Sequence, residues 1–202
     1  AFRGSDSYLG DITKPIRSEA ALDLIKKAQA STPDDPLYVI TVGCITNIAS
    51  ALLIDPSIID KIVVVWLGGN SLYWPTQKEF NLMQDVKAAQ VVFNSGVPLI
   101  TMPCEPVVSH FLTTIPELEK YLKGKNALSD YLFKTVLDYS NGQAAWSKVI
   151  WDVTAVAWIV NSNWMPSNLE HSPILTDQVT FSFDHSRHFI RMANNLNRDA
   201  IY

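Results

Sequence analysis

Cysteine, positive charge and long apolar runs are all scarce in this chain, and each scarcity excludes something. Only Cys44 and Cys104 occur, too few for a disulfide framework and without CxxC metal or redox spacing, which favours a reducing, cytoplasm-like compartment. Lys and Arg number 16 against 20 Asp and Glu, for a formal net charge of -4. A sequence-independent grip on phosphate backbones needs clustered cations, so nucleic acid is not an expected partner. The longest apolar stretches, such as Ile62 to Leu67 and Val153 to Val160, fall far short of the roughly 20 residues that span a bilayer, so no membrane partner is expected. No G-x-G-x-x-G follows an apolar run, which counts against a dinucleotide-binding domain. Repeats, low-complexity tracts, charge blocks and linkers are missing as well. The opening Ala1-Phe2-Arg3-Gly4-Ser5 has neither an initiator Met nor the charged-then-apolar layout of a secretory signal. It reads as part of something longer, with its localisation signals out of view.

What is present suffices for one domain over residues 1–202. With 48% hydrophobic and 18% charged residues, the chain can build a sizeable core. Ser18-Glu19 caps a helical pattern carrying Ala21, Leu22, Leu24, Ile25 and Ala28 on one broad face, broken at Thr32-Pro33-Asp34-Asp35-Pro36. Leu37 to Val42 then reads as a strand, Thr46 to Leu53 as a short helix and Ile62 to Leu67 as a second strand. Asp85 starts a helix that ends near Asn94 with Gly96 as its C-cap, and Leu99 to Met102 is a third strand. This is the pattern of a doubly wound, mostly parallel α/β sheet. Farther on, Lys123-Gly124-Lys125 separates two helices between Pro116 and Tyr139, and the more apolar Asp152 to Asn161 predicts a buried helix. In the tail, Val179, Phe181 and Phe183 alternate before Asp184-His185-Ser186-Arg187 turns the chain into Phe189 to Met192, which predicts an antiparallel hairpin.

Four segments carry possible chemistry. Val63-Val64-Val65-Trp66-Leu67-Gly68-Gly69 ends a covered parallel strand, and ligands in open α/β sheets bind beyond such ends. Glu79-Phe80-Asn81 follows. In extended backbone Glu79 and Asn81 share one side while Phe80 anchors on the other, a grip suited to a diol; a solvated loop is the plain alternative. Asp152 either caps the next helix or offers a carboxylate to a hard cation. Trp151 is either core or a flat face for a nucleobase. Val42-Gly43-Cys44-Ile45-Thr46-Asn47 is either a simple strand-to-helix turn or a place where backbone approaches a ligand. Tyr73-Trp74 lies on the loop expected to rim the site. His185 and His188 read as a polar turn that can also border a base pocket.

Jointly these segments resemble the nucleoside hydrolase family, the metal-dependent N-ribohydrolases of the inosine-uridine type. The matching pieces are Val42 to Asn47, Leu67-Gly68-Gly69, Glu79-Phe80-Asn81 with Asp85 and Ala88-Ala89, and Trp151-Asp152 before Ala155-Val156-Ala157. The likeness runs from about Leu37 to Val160 and continues weakly to the tail, the family's C-terminal two-thirds, and Phe2-Arg3-Gly4-Ser5 looks like its segment leading into a mobile loop. The resemblance implies hydrolysis of a small-molecule ribonucleoside to ribose and free base. It also implies one Ca²⁺ that binds the ribose hydroxyls and a water; a homo-oligomer is a separate expectation. Carried over, Glu79 and Asn81 correspond to ribose-hydroxyl ligands, and Asp152 to a metal-binding aspartate that also contacts the sugar. Val42 corresponds to a backbone carbonyl ligand of the metal, and Leu67 to a usual Met near the sugar.

Two departures shape the expectation. Many members place a His where Trp151 stands, and an indole cannot supply a leaving-group proton; the purine-specific branch carries Trp there, which favours purine nucleosides. The family's N-terminal D-x-D-x-x-x-D-D cluster, source of the general base and most metal ligands, does not occur, because Asp6, Asp11 and Asp34-Asp35 are differently placed. Ca²⁺ takes about 6–8 oxygens, so the chain alone is expected to lack a complete metal site and to be inactive. It is also expected to expose a sheet edge that promotes self-association. A non-catalytic ribonucleoside-binding module is the alternative.

Overall fold

The computed structural model describes residues 1–143 and 145–202. In chain order, α1 (Glu19–Gln29) leads to β1 (Leu37–Thr41), α2 (Thr46–Ile54), β2 (Ile62–Leu67), α3 (Phe80–Gln84), α4 (Val86–Ser95) and β3 (Leu99–Met102). There follow β4 (Leu112–Thr114), α5 (Ile115–Tyr121), α6 (Ala127–Tyr139), β5 (Ser147–Val149) and α7 (Val153–Val160). The tail holds β6 (Ser167–His171), β7 (Ile174–Leu175), β8 (Phe181–Ser182), β9 (Phe189–Ala193) and α8 (Arg198–Ile201). The main sheet runs β1-β2-β3-β9-β6, parallel except where β6 joins β9.

Local chemistry sets these boundaries. Ser18 accepts the Ala21 N–H at the start of α1, and Lys26 and Lys27 complement the helix dipole at its end. Asp85 caps α4 by accepting the Ala88 N–H, and Gly96 closes that helix at φ 82°, a left-handed angle that glycine adopts without strain. The run at β2 is apolar throughout because both of its faces are covered. Ile62, Val64 and Trp66 pack with α1, α2 and α4 on one side, while Val65 and Leu67 pack with Ala155, Phe111 and Met165 on the other.

Two expectations need revision. The α7 segment is not a buried helix: Thr154, Ala155 and Ala157 are buried, but Val153, Val156 and Val160 are 46%, 48% and 66% exposed. It rests on β1 and β2 through one stripe, so its all-round apolar composition overstates the number of faces that find partners. The tail does contain antiparallel strands, with different partners: β8 pairs with β7, and β9 lies between β3 and β6. The alternation at 179–183 could not reveal that β9 is recruited into the parallel sheet. At the opposite edge, β1 is paired on one side only among the described residues and leaves Tyr38 and Ile40 half exposed.

Candidate functional site

Three neighbouring parallel strands end on one cavity of about 570 Å³. Val42 follows β1, Leu67 and Asn70 come from the end of β2, and Cys104 and Glu105 follow β3. Trp151 and Asp152 enter ahead of α7, and the segment around α3 adds Trp74, Thr76, Lys78, Glu79, Phe80 and Asn81. Val42, Leu67, Glu79, Asn81, Trp151 and Asp152, far apart in sequence, therefore share a wall. Their meeting follows from topology, since the carboxyl ends of adjacent parallel strands all open to the same side of the sheet.

The grip itself is built differently from the extended arrangement expected. Glu79 is the N-cap of α3, not part of a strand, so Phe80 begins the helix and is 78% exposed instead of anchoring in the core. The Glu79 carboxylate accepts the N–H groups of Asn81 (2.9 Å), Leu82 (3.0 Å) and Gly69 (2.9 Å). It thereby ties the helix start to the end of β2. Asn81 is buried and donates from Nδ2 to the Leu67 carbonyl at 2.9 Å, a bond that leaves its amide oxygen available as an acceptor. The Leu67 side chain is 1% exposed and belongs to the core beneath.

Asp152 precedes α7, but its side chain makes no capping hydrogen bond, so the plain structural role for this carboxylate is not taken up. Partial burial, and then the nearby Glu79 charge, raises its proton affinity above that of an ordinary aspartate. Burial pushes the Cys104 thiol upward still more strongly, helped by Glu79, Glu105 and Asp152, so this cysteine stays protonated and is no nucleophile at neutral pH. Among the described residues, no three His, Cys, Asp or Glu side chains converge as a metal site would require. The side chains present therefore do not by themselves form the calcium site that the resemblance implies.

The rim residues separate. Trp74 lines the cavity, whereas Tyr73 is 87% exposed and packs its ring 5.7 Å from that of Phe183. His185 lies against His171, and burial followed by the Arg187 charge lowers the pKa of His188; neither histidine lines the cavity. Asn70, Thr76, Lys78, Cys104 and Glu105 had drawn no functional reading from the sequence. A signal for three of them existed, because Asn70, Cys104 and Glu105 directly follow predicted strands, where the carboxyl-end rule places ligands.

Comparison with known proteins gives this geometry a context. The profile of the inosine-uridine preferring nucleoside hydrolases matches residues 2–199, so the likeness is strong along almost the whole chain and not only from Leu37 to Val160, and the restriction to the family's C-terminal two-thirds is not borne out. The pyrimidine-specific ribonucleoside hydrolase RihB of Escherichia coli strain UMN026 is 25% identical over 160 residues, 75% of this chain and 50% of the relative. The chain thus spans about half the length of that curated relative. Among solved structures, the purine-preferring ribonucleoside hydrolase from Gardnerella vaginalis superposes with a TM-score of 0.75 at 21% identity, covering 93% of this chain and 64% of the other. A plant nucleoside hydrolase, PpNRh1, gives 0.74 at 18% identity, with 93% and 65% covered. At these identities the two structures speak to the fold, a mostly parallel α/β sheet of the nucleoside hydrolase type. On the strength of the profile match along almost its whole length, the chain belongs to the inosine-uridine preferring nucleoside hydrolase family.

Proposed function

We propose that the protein binds ribonucleosides in this cavity and hydrolyses their N-glycosidic bond to ribose and free base. The observation that carries the reading is the meeting of hydroxyl-binding and base-stacking groups in one space: Glu79, Asn81 and Asp152 with Trp151. Asn81 and Glu79 accept ribose hydroxyls, and Asp152, whose proton affinity is raised, accepts from the same sugar. Trp151 offers its indole face to the base, which favours purines because a larger ring system stacks over more area. Relatives point both ways, with a pyrimidine-specific name on RihB and a purine-preferring one on the Gardnerella enzyme.

In the reaction, water adds to the anomeric carbon while the carbon–nitrogen bond breaks, its electron pair leaves with the base nitrogen, and a proton goes to the base. The sugar passes through an oxocarbenium-like state. This chain's residues bind and orient the nucleoside; the indole of Trp151 cannot donate the leaving-group proton. Calcium activation and a homo-oligomer form part of the same proposal, and the calcium needs ligands beyond the set that the described residues bring together.

That last observation favours a second reading, a non-catalytic ribonucleoside-binding module. Ribose release from inosine and uridine, with Ca²⁺ and with a chelator, separates the two when run beside calorimetric nucleoside binding. Release that is faster for inosine supports the first reading, and binding without release supports the second. A protein that binds neither nucleoside refutes both.

A further inference from the structure

Gln77 is wholly buried, yet every polar group it carries is bonded. Its side-chain oxygen accepts the Asn70 N–H at 2.7 Å, and its side-chain nitrogen donates to the Ser71 carbonyl at 3.1 Å. These two partners fix which end of the amide is oxygen. Its own carbonyl accepts the Glu79 N–H at 2.8 Å, and its N–H donates to the Val179 carbonyl at 2.8 Å. Gly69 sits close beneath: it has φ 71°, and a Cβ there would come 3.2 Å from the Gln77 side-chain oxygen and 3.1 Å from Leu82. The amide thus packs on the same glycine whose N–H binds the Glu79 carboxylate.

The network continues to the cavity wall and to the tail. Asn70 donates to the Thr76 carbonyl at 2.9 Å and accepts the Glu105 N–H at 3.1 Å, which joins the ends of β2 and β3. Val179 has φ 60°, a left-handed conformation that is costly for a β-branched residue. It is held there by its bond to the Thr176 carbonyl (3.0 Å), by the Thr176 to Thr180 backbone bond (2.9 Å) and by its buried side chain. A strained turn at the tip of the β7–β8 hairpin therefore aims one carbonyl at the loop behind the cavity.

We propose that Gln77, anchored by Val179, is the positioning residue for the sugar-binding end of the cavity: it sets the Gly69–Asn70 backbone and, through it, the Glu79 carboxylate. The role rests on the nucleoside reading above. Gln77 bonds to Asn70, Ser71 and Glu79, and Asn70 carries the network on to Glu105; none of these bonds involves Trp151, and that asymmetry supplies the test.

Gln77→Met keeps the side chain's length and burial but removes both of its hydrogen bonds. Calorimetry on wild type and variant uses three probes: inosine, D-ribose and hypoxanthine. The expected result is a loss of about tenfold or more in affinity for ribose and inosine, the order set by one or two buried hydrogen bonds, with hypoxanthine within about twofold of wild type. Unchanged ribose affinity, or an equal fall for ribose and hypoxanthine, overturns the proposal. Amide hydrogen exchange adds a readout that needs no ligand. Gly69 and Asn70 should exchange faster in the variant while Val64 and Val65 in β2 keep their protection. Continued protection of Gly69 and Asn70 overturns the positioning role even in a protein that binds no nucleoside, whereas faster exchange there without any nucleoside binding refutes the functional reading alone. If Gln77→Met does not fold, Val179→Pro, whose ring fixes φ at about −65° and so turns the anchoring carbonyl away from Gln77, is held to the same expectations.

Discussion

Replacing Glu79 by alanine should cost stability as well as ligand affinity, because the carboxylate already has work in the free protein. It accepts three backbone N–H groups, from Asn81, Leu82 and Gly69. Two of these are the orphan donors at the start of α3, and losing such a cap costs about 1 kcal/mol. The third, from Gly69, is a hydrogen bond to a charged acceptor, worth about 1.5–3 kcal/mol. Glu79 is half-buried, so solvent screening trims the sum, and a net loss of roughly 2–4 kcal/mol is expected. For a chain of this size each kcal/mol moves the midpoint by about 2–4 °C, so Tm should fall by roughly 5–15 °C. Thermal melts by circular dichroism, with urea titration for the free energy, measure it. Glu79→Gln should fall less, since one carbonyl oxygen remains to accept while its amide group opposes an N–H donor. If Glu79→Ala melts within about a degree of wild type, the carboxylate is not held by these amides and its described geometry is wrong.

Three further outcomes are expected. Asp152→Asn should weaken nucleoside binding yet melt slightly higher than wild type at neutral pH. The raised folded-state pKa of Asp152 makes its ionised form a cost that is present above that pKa and relieved as pH falls towards the ordinary 3.8, so pH-dependent melting curves should converge in acid. Trp151→Ala should weaken inosine binding by roughly 5- to 150-fold, the equivalent of one lost base stack, and weaken uridine binding less; titration calorimetry with both nucleosides gives the ratio. Ile40→Lys places a charge on the open edge at β1, and light scattering should then show less self-association than wild type, because an edge lysine opposes strand addition.

The fold was readable because its signals are local and strong. The β-branched run at Ile62 to Leu67, the caps at Ser18 and Asp85 and the left-handed Gly96 each announce an element without reference to distant residues. The wall of the site was readable in part, since Glu79, Asn81, Trp151 and Asp152 were singled out and do share a cavity. Less was readable where a residue's role depends on its neighbours in space. Phe80 is apolar yet exposed, because Glu79 uses its carboxylate to start a helix at that point. Gln77 looks like an ordinary loop residue until its buried amide is seen bonded to Asn70 and Ser71.

By itself, the sequence determined the parallel α/β order, the family likeness and the residue types here proposed to grip a sugar and stack a base, since periodicity, caps and motif chemistry are written in short stretches. Only the tertiary structure decided that the ends of β1, β2 and β3 open on one cavity, that the Asp152 side chain is free of capping while Glu79 is engaged in it, and that α7 buries one stripe. These depend on which groups lie within a few ångströms of one another. Hydrogen-bond satisfaction and burial are properties of that proximity, and proximity between residues far apart in the chain is set by the packed sheet.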